Sequence, residues 1–429
     1  MRRFGSLIAM MIAMVASVAV WQFPGDAGDR PPLSQSAYVW QRVWTPAVTA
    51  GVTNRPAGLS KLIVLVAQVD WDGATPRVTR VQPDYDALQH AGVGVGLALR
   101  VTGRRTPIRS GESAMDQVAE LARTLVAGAR QAGLQPVEFQ VDYDSAENRL
   151  AEYRVWLGVV RRAVAPVPLT ITVLPCWLGH RDVGALVGET DGFVLQVHSL
   201  AITGTSDLPG RLSLVDRQTA IVAVRRAAAL GVPFEVALPT YGYVAAFGPE
   251  GRLLGLNAEG PLPNWPPTTV LRDVRADPSL MAMLVHAWMT WRPGPMRGVI
   301  WYRLPIPGDR HNWAPETLDC VMQGQAPEPA LTARLLMTDA GRLADVELAN
   351  HGWADALLDG VQVAIGVDPT CIEAQDGTGG FIARKTGNGV VLVAAAAAIP
   401  SRLRPGEKRI VGWVRLREPG PATVAVEAR

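Results

Sequence analysis

The chain has 429 residues, 48% of them hydrophobic, enough to bury a sizeable core and too many for one ordinary domain. Lysine and arginine total 41 against 39 acidic residues, a balance that leaves no electrostatic footprint for nucleic acid and no basic stripe for a membrane surface. Six singly scattered histidines and three cysteines show no metal-ligand spacing, and there is no GxSxG elbow, HExxH pair or Walker loop; the sequence calls for no metal and no cofactor.

At the N-terminus Arg2 and Arg3 precede an uncharged apolar run over residues 4–23, followed by the polar PGDAGDRPP. Residues 1–23 read as an export signal or an N-terminal anchor, with Ser17, Val18 and Ala19 supplying the small residues that a signal peptidase reads. Two arginines on the short side orient the remainder outwards. The expected location is periplasmic or extracellular, with the inner membrane touched only through an uncleaved N-terminal segment. In such an oxidising compartment Cys176, Cys320 and Cys371 leave at least one thiol unpaired; a Cys320 to Cys371 bridge and three buried free thiols both fit.

After a linker over residues 24–36, short apolar runs alternate with helical patterns. The runs are AYVWQRVW (37–44), KLIVLVAQVDW (61–71), GVGVGLALRV (92–101), EFQVDYD (138–144), LTITVLPCW (169–177), GFVLQVHSL (192–200), PFEVALPTYG (233–242) and RGVIWYRLP (297–305). Apolar residues at helical spacing mark residues 113–131, 145–164, 216–230 and 277–291 as helices. Eight strand and helix alternations predict an α/β fold of the (β/α)8 TIM-like barrel type over residues 37–325, and no Gly-rich fingerprint follows the first strand. Residues 244–269 interrupt the rhythm with Gly, Pro, Asn and Trp265 and read as an insertion after the seventh strand. From residue 326 the pattern changes to short runs broken by Gly, Pro, Asn and Asp, the spacing of an antiparallel β-sandwich over residues 326–429.

In a closed parallel barrel, functional groups come from the carboxyl ends of the strands. The fourth strand candidate ends in Asp142 and Asp144, two apart on one strand face and so roughly 7 Å between α-carbons. At that spacing each ionisation disfavours the other, which is how one carboxyl becomes an acid near neutral pH. Glycosidic cleavage needs such a pair, one acid for the leaving oxygen and a second group to attack or activate water. Asp142 and Asp144 are therefore the candidate catalytic residues, against the alternatives that Asp142 accepts from Arg42, Arg100 or a backbone amide and that Asp144 caps the following helix. Candidate substrate-binding residues are Asp70, expected to share an inward face with Val64, Val66 and Gln68, together with Gln196, His198, Tyr143 and Tyr241, and the tryptophans Trp44, Trp71, Trp177 and Trp301 as flat surfaces for sugar rings. Glu235 lies near a strand start and is set aside.

With the barrel placed, AYVWQRVWTPAV, FQVDYDS before a helix, LTITVLPCWL and VLQVHSL together resemble a bacterial exported family known as domain of unknown function 3142, over roughly residues 38–307. The resemblance implies a glycosidase-like (β/α)8 barrel and brings no established activity. More distantly the fourth strand is similar to that of chitinase-type (family 18) barrels, in which alternating aspartates lead to a catalytic glutamate and a tryptophan marks the last strand. Trp301 fits that last-strand position. The glutamate position holds either Ala146 or Asp144 here, depending on the alignment, and with the second alignment the first aspartate becomes Val137. The expected function is that of an exported glycoside-hydrolase-like protein acting on a bacterial polysaccharide, with carbohydrate as partner; the alternatives are a non-catalytic glycan-binding protein and an envelope scaffold.

Overall fold

A computed structural model of the chain describes residues 31–71, 76–102, 113–199, 212–258, 262–397, 399 and 401–427. The N-terminal apolar segment, residues 1–23, lies outside them. Eight parallel strands carry the first part of the chain: β1 (Ser34–Val39), β2 (Lys61–Trp71), β3 (Gly94–Thr102), β4 (Phe139–Tyr143), β5 (Leu169–Val173), β6 (Gly192–Gln196), β7 (Phe234–Pro239) and β8 (Met296–Tyr302). Each pairs with the next, and β8 pairs in parallel with β1, so the sheet closes on itself as a barrel. Gly298 sits opposite Ser34 at this closure, where an added Cβ would run into the Ser34 carbonyl oxygen. Among the described residues an α-helix follows every barrel strand: α1 (Pro46–Thr53), α2 (Tyr85–His90), α3 (Ser113–Gln131), α4 (Leu150–Val164), α5 (Val183–Val187), α6 (Arg217–Ala228), α7 (Pro278–Thr290) and α8 (Pro315–Met322).

The helices begin where local chemistry lets them. Asp84 accepts from the Ala87 amide, Asp216 from Thr219, and Asp277 from Ser279 and Leu280, satisfying amides that have no partner within the first turn. The strands are apolar on both faces because helices cover the outside and side chains fill the inside. Leu97, Val141, Ile171, Leu195, Val236 and Val299 point outwards into one core with Val118, Tyr153, Val224 and Val285 of the helices. Residues one step along, among them Tyr38, Ile63, Leu65, Ala98, Val194, Ala237 and Ile300, form the interior cluster.

Three differences from the sequence reading concern the site. β1 begins at Ser34, inside the expected linker, and stops at Val39. Its polar start is tolerated because Ser36 donates to Glu235 Oε1 at 3.0 Å and Gln35 bridges the Met322 carbonyl and the Trp301 indole N–H. In β2 the pairing with β3 slips between Leu65 and Ala67. This bulge changes the phase: Val64 and Val66 pack into the outer core, while Gln68 pairs opposite Arg100 and Asp70 opposite Thr102. The insertion after β7 is a three-stranded antiparallel sheet, Gly242–Phe247 between Leu253–Asn257 and Val270–Arg275.

At the amino-terminal end of the barrel, Lys61 Nζ lies 2.7 Å from Glu138 Oε2 and 2.8 Å from Glu235 Oε2. Thr170 donates to the other Glu138 oxygen at 3.0 Å, Gln140 donates to Thr170 at 3.3 Å, and Tyr38 donates to Gln140 at 2.7 Å. A chain of polar groups thus fills the barrel between its closed end and the residues that floor its open end.

Beyond α8 the described residues form two four-stranded antiparallel sheets and a two-stranded one. The first orders Leu331–Thr338, Leu343–Asn350, Lys408–Leu416 and Ile372–Gly377; the second orders Phe381–Thr386, Gly389–Ala394, Gln362–Gly366 and Thr423–Glu427. Val346, Leu348, Val411 and Val414 of the first share a core with Val363, Ile365, Val390 and Leu392 of the second. Arg402 reaches Asp273 Oδ2 in the insertion at 2.8 Å, and Arg404 donates to the carbonyls of Asp309 and Asn312 in the loop after β8. The three cysteines are free, with Cys176 exposed and the other two half-buried; the expected burial of these thiols does not hold.

Candidate functional site

At the carboxyl ends of the strands a cavity of about 140 Å³ opens on the barrel axis. Every barrel strand except β2 sends a side chain into it: Tyr38, Arg100, Asp142, Thr172, Gln196, Ala237 and Tyr302. These are the inward members of the period-two alternation, at the last turn of the pleat before each loop. Trp40, Asp144, His198, Tyr241 and Tyr243, just past the strand ends, complete the wall.

Asp142 is 8% exposed and accepts from Thr172 Oγ1 at 2.8 Å. Its second oxygen lies 3.9 Å from Arg100 Nε. Burial pushes its carboxyl up from the usual range, opposed by Arg100 and reinforced by Asp144. Asp142 therefore keeps its proton to higher pH than an exposed carboxyl does. Asp144, two residues on and past the end of β4, is exposed at the mouth. It caps neither following helical segment, since the residues at those cap positions are Ala146 and Arg149. Arg100 also meets the Tyr302 hydroxyl, so one half-buried cation links the acid pair to the opposite wall.

That wall is a continuous aromatic surface. Tyr302 packs edge-on against Tyr38, Trp40 and Tyr241, with ring centroids 5.7, 5.5 and 5.3 Å away, and stacks on the His198 imidazole at 5.3 Å. His198 Nδ1 is 3.1 Å from the Tyr241 hydroxyl, which also accepts from Tyr243 at 3.2 Å. Burial pushes His198 down to about 4, so near neutral pH it offers one N–H and one lone pair and carries no charge. Burial likewise holds Tyr241 and Tyr302 in their protonated, hydrogen-bonding forms.

Of the sequence-derived candidates, the cavity brings together Asp142, Asp144, Gln196, His198 and Tyr241. The other six do not line it. Trp301 is fully buried on the outward side of β8, donating to Gln35 Oε1 at 2.9 Å and packed near Trp313; strand phase gives the last-strand position in the cavity to Tyr302. Tyr143 lies outwards between the two aspartates, edge-on to Tyr153 and Trp156 of α4. Trp71 is buried in the outer core. Trp177 is buried after β5 and donates to the Ser145 carbonyl at 3.1 Å, while Trp44 is half-buried and donates to Thr49 at 2.9 Å. Asp70 is occupied by Thr102, by Gln68 at 2.6 Å and by Arg77 at 3.5 Å, and these hydrogen bonds hold its carboxyl low.

The sequence-derived candidates leave out Arg100, Ala237, Tyr243 and Tyr302 of the lining, and also Tyr38, Trp40 and Thr172. The signal for the last three was present in the alternation of Ser36 with Tyr38 and of Thr170 with Thr172. It was obscured by reading the first and fifth strands several residues past their ends.

Residues 97–307, from β3 to just past β8, match the family model described as domain of unknown function DUF3142. The chain carries a DUF3142 domain. Residues 333–417 match a second family of the same kind, DUF8456. All cavity residues but Tyr38 and Trp40 fall inside the DUF3142 match. No curated protein matches the sequence. Among solved structures, the spore cortex-lytic enzyme SleL of Bacillus cereus aligns with a TM-score of 0.45 and 11% identity over 68% of this chain and 74% of that one. A chitinase from Bacteroides thetaiotaomicron gives 0.42 and 14% over 64% and 90%. At these values the likenesses say nothing of the chemistry of the DUF3142 domain, which rests on its own cavity.

Proposed function

We propose that this chain is an exported glycoside-hydrolase-like protein that takes a sugar unit of a bacterial polysaccharide into the axial cavity and cleaves its glycosidic bond by carboxylate acid–base chemistry. The observation that carries this reading is the meeting of Asp142 and Asp144 in one aromatic-walled cavity at the open end of the barrel. Asp142, buried and held towards its protonated form, keeps a proton within the pair. Asp144, at the mouth, is the member placed to pass that proton to the leaving oxygen, with Asp142 as its partner, while water adds to the anomeric carbon and returns a proton to the pair. Tyr302, Trp40 and Tyr241 offer faces and edges to a ring, while Gln196 and neutral His198 read hydroxyls. A cavity of about 140 Å³ is smaller than the roughly 300–1,000 Å³ of pockets for drug-sized ligands, so a single ring enters it and the rest of the glycan stays outside. On the same reading residues 1–23 carry the protein to the periplasm or beyond, and the two C-terminal sheets form a β-sandwich appended to the barrel.

Release of reducing ends from a panel of bacterial polysaccharides by the purified full chain, with Asp144→Asn beside it, tests the assignment. The expected loss in the variant is about 10²–10⁴-fold at unchanged melting temperature. Turnover untouched by the substitution sinks it. A second reading, a glycan-binding protein without turnover, is favoured by one feature: neither alignment with the chitinase pattern leaves a glutamate at the acid position, which holds Ala146 or the shorter Asp144. Equal glycan binding by wild type and Asp144→Asn without released reducing ends would identify it.

A further inference from the structure

His198 stands just past the end of β6, and only 5% of it is exposed. Two contacts fix the plane of its ring. The imidazole stacks on Tyr302, with ring centroids 5.3 Å apart and an interplanar angle of 23°, and Tyr241 meets it edge-on at 79°. The two ring nitrogens then meet different surroundings. Nδ1 lies 3.1 Å from the Tyr241 hydroxyl. Nε2 has no hydrogen-bond partner among the described residues and is not sealed off from the cavity that His198 lines.

The neighbouring hydroxyls decide which nitrogen carries the proton. Tyr243 donates to the Tyr241 oxygen at 3.2 Å. A phenol has a single proton of its own to give, and the acceptor within reach of the Tyr241 proton among the described residues is His198 Nδ1. Burial keeps the Tyr241 hydroxyl protonated and the imidazole uncharged near neutral pH. A neutral imidazole has one N–H and one lone pair. With the lone pair at Nδ1 occupied by Tyr241, the N–H is at Nε2. The relay runs one way, from Tyr243 to Tyr241 to His198, and ends in a donor at the cavity wall.

A fixed donor pairs with an oxygen and not with an ammonium group, which has donors only. Gln196, two residues earlier in the same wall, carries both functions on one amide and adapts to either. His198 has no such choice. We infer that His198 is the specificity-determining donor of the axial cavity, held by Tyr241 and Tyr243 with its Nε2 N–H towards the ligand, so that the sugar unit bound there presents an oxygen acceptor and a free amine at that place is refused. The inference rests on the glycan reading for its ligand, and on the relay alone for the direction of the N–H.

Two measurements on the full chain test it. The first is long-range nitrogen–proton NMR of protein carrying isotopically labelled histidine at neutral pH, with the His198 signals assigned by their loss in His198→Gln. Nε2 should carry the proton in wild type, and in Tyr241→Phe the Nδ1 signal should move to higher frequency as its lone pair loses a donor. A proton on Nδ1 in wild type overturns the inference, and so does an Nδ1 signal that Tyr241→Phe leaves in place. The second is a binding titration with glucose, galactose, mannose and N-acetylglucosamine, followed by the deoxy, deoxyfluoro and aminodeoxy forms of the sugar that binds best. At one ring position deoxygenation and the amine should each weaken binding about tenfold, while fluorine, which accepts but cannot donate, should weaken it by less than about threefold. Fluorine that costs as much as deoxygenation at every position overturns the donor and leaves the glycan reading standing. Wild type that binds none of these sugars overturns the glycan reading, and the nitrogen signals still decide the relay.

Discussion

Replacing Lys61 with methionine would test the polar column that fills the barrel. Lys61 stands between Glu138 and Glu235 at 2.7 and 2.8 Å, and the three side chains are only 20%, 10% and 12% exposed. Methionine preserves the stem and its packing but leaves two carboxylates facing each other in a site with little water. Breaking a buried ion pair by removing one partner costs about 3–5 kcal/mol. With roughly 2.1 cal/mol/K of unfolding entropy per residue over a chain of this size, melting should fall by about 3–6 °C near neutral pH. Glu235 is already held above the ordinary carboxyl range by burial, with Glu138 adding to the effect and Lys61 opposing it, so losing Lys61 raises it further. A carboxyl raised in the folded state contributes stability that is present below its unfolded value of 4.5 and is lost as pH rises through the folded value. The deficit should therefore be small near that lower bound and grow towards neutrality. Melting followed by circular dichroism across this range, with the triple variant Lys61→Met, Glu138→Gln, Glu235→Gln as control, reads it directly. The triple variant should recover most of the loss. A single variant that melts with wild type at neutral pH, or whose deficit is the same throughout, would refute the reasoning.

Two other substitutions address the barrel and its mouth. Gly298→Ala drives a methyl into the Ser34 carbonyl where β8 closes on β1; overpacking of this kind costs roughly 1–3 kcal/mol, and a thermal melt indistinguishable from wild type would contradict the close approach. Asp142→Asn mimics the protonated carboxyl that burial favours. By the same sign argument, wild type loses stability as pH rises through the raised value while the variant does not. The variant should melt above wild type at neutral pH and converge with it below 3.8, the unfolded value, even as any glycan turnover falls; a variant less stable at neutral pH would show that the Arg100 contact outweighs the desolvation of Asp142.

The barrel was legible because its strands are buried on both faces, which writes them as uninterrupted apolar runs, and because helices such as Ser113–Gln131 carry an unbroken helical period. What failed was phase. Trp301 and Tyr143 are large aromatic residues at strand ends, and composition alone makes them candidates, yet each lies one residue from the inward position and packs under a helix. The bulge in β2 inverted the expected company of Asp70, and no residue there announces it, since Val66 and Ala67 suit either face. The Lys61 column was invisible for another reason: its members come from five strands, and only closure of the sheet makes Lys61 a neighbour of both Glu138 and Glu235.

The contacts of Arg402 and Arg404 bear on how this protein can be taken apart. Asp273 is almost wholly enclosed and shares its carboxylate between Arg275 and Arg402, while Arg404 holds the loop that carries Asp309 and Asn312. The C-terminal strands thus act as a splint on the two excursions that frame the open end of the barrel. Shortening the chain after α8 would leave the strands of the barrel intact but unstring its rim, and a barrel grafted onto a foreign partner would need Asp273 and the Arg402 to Arg404 turn carried over as a matched set.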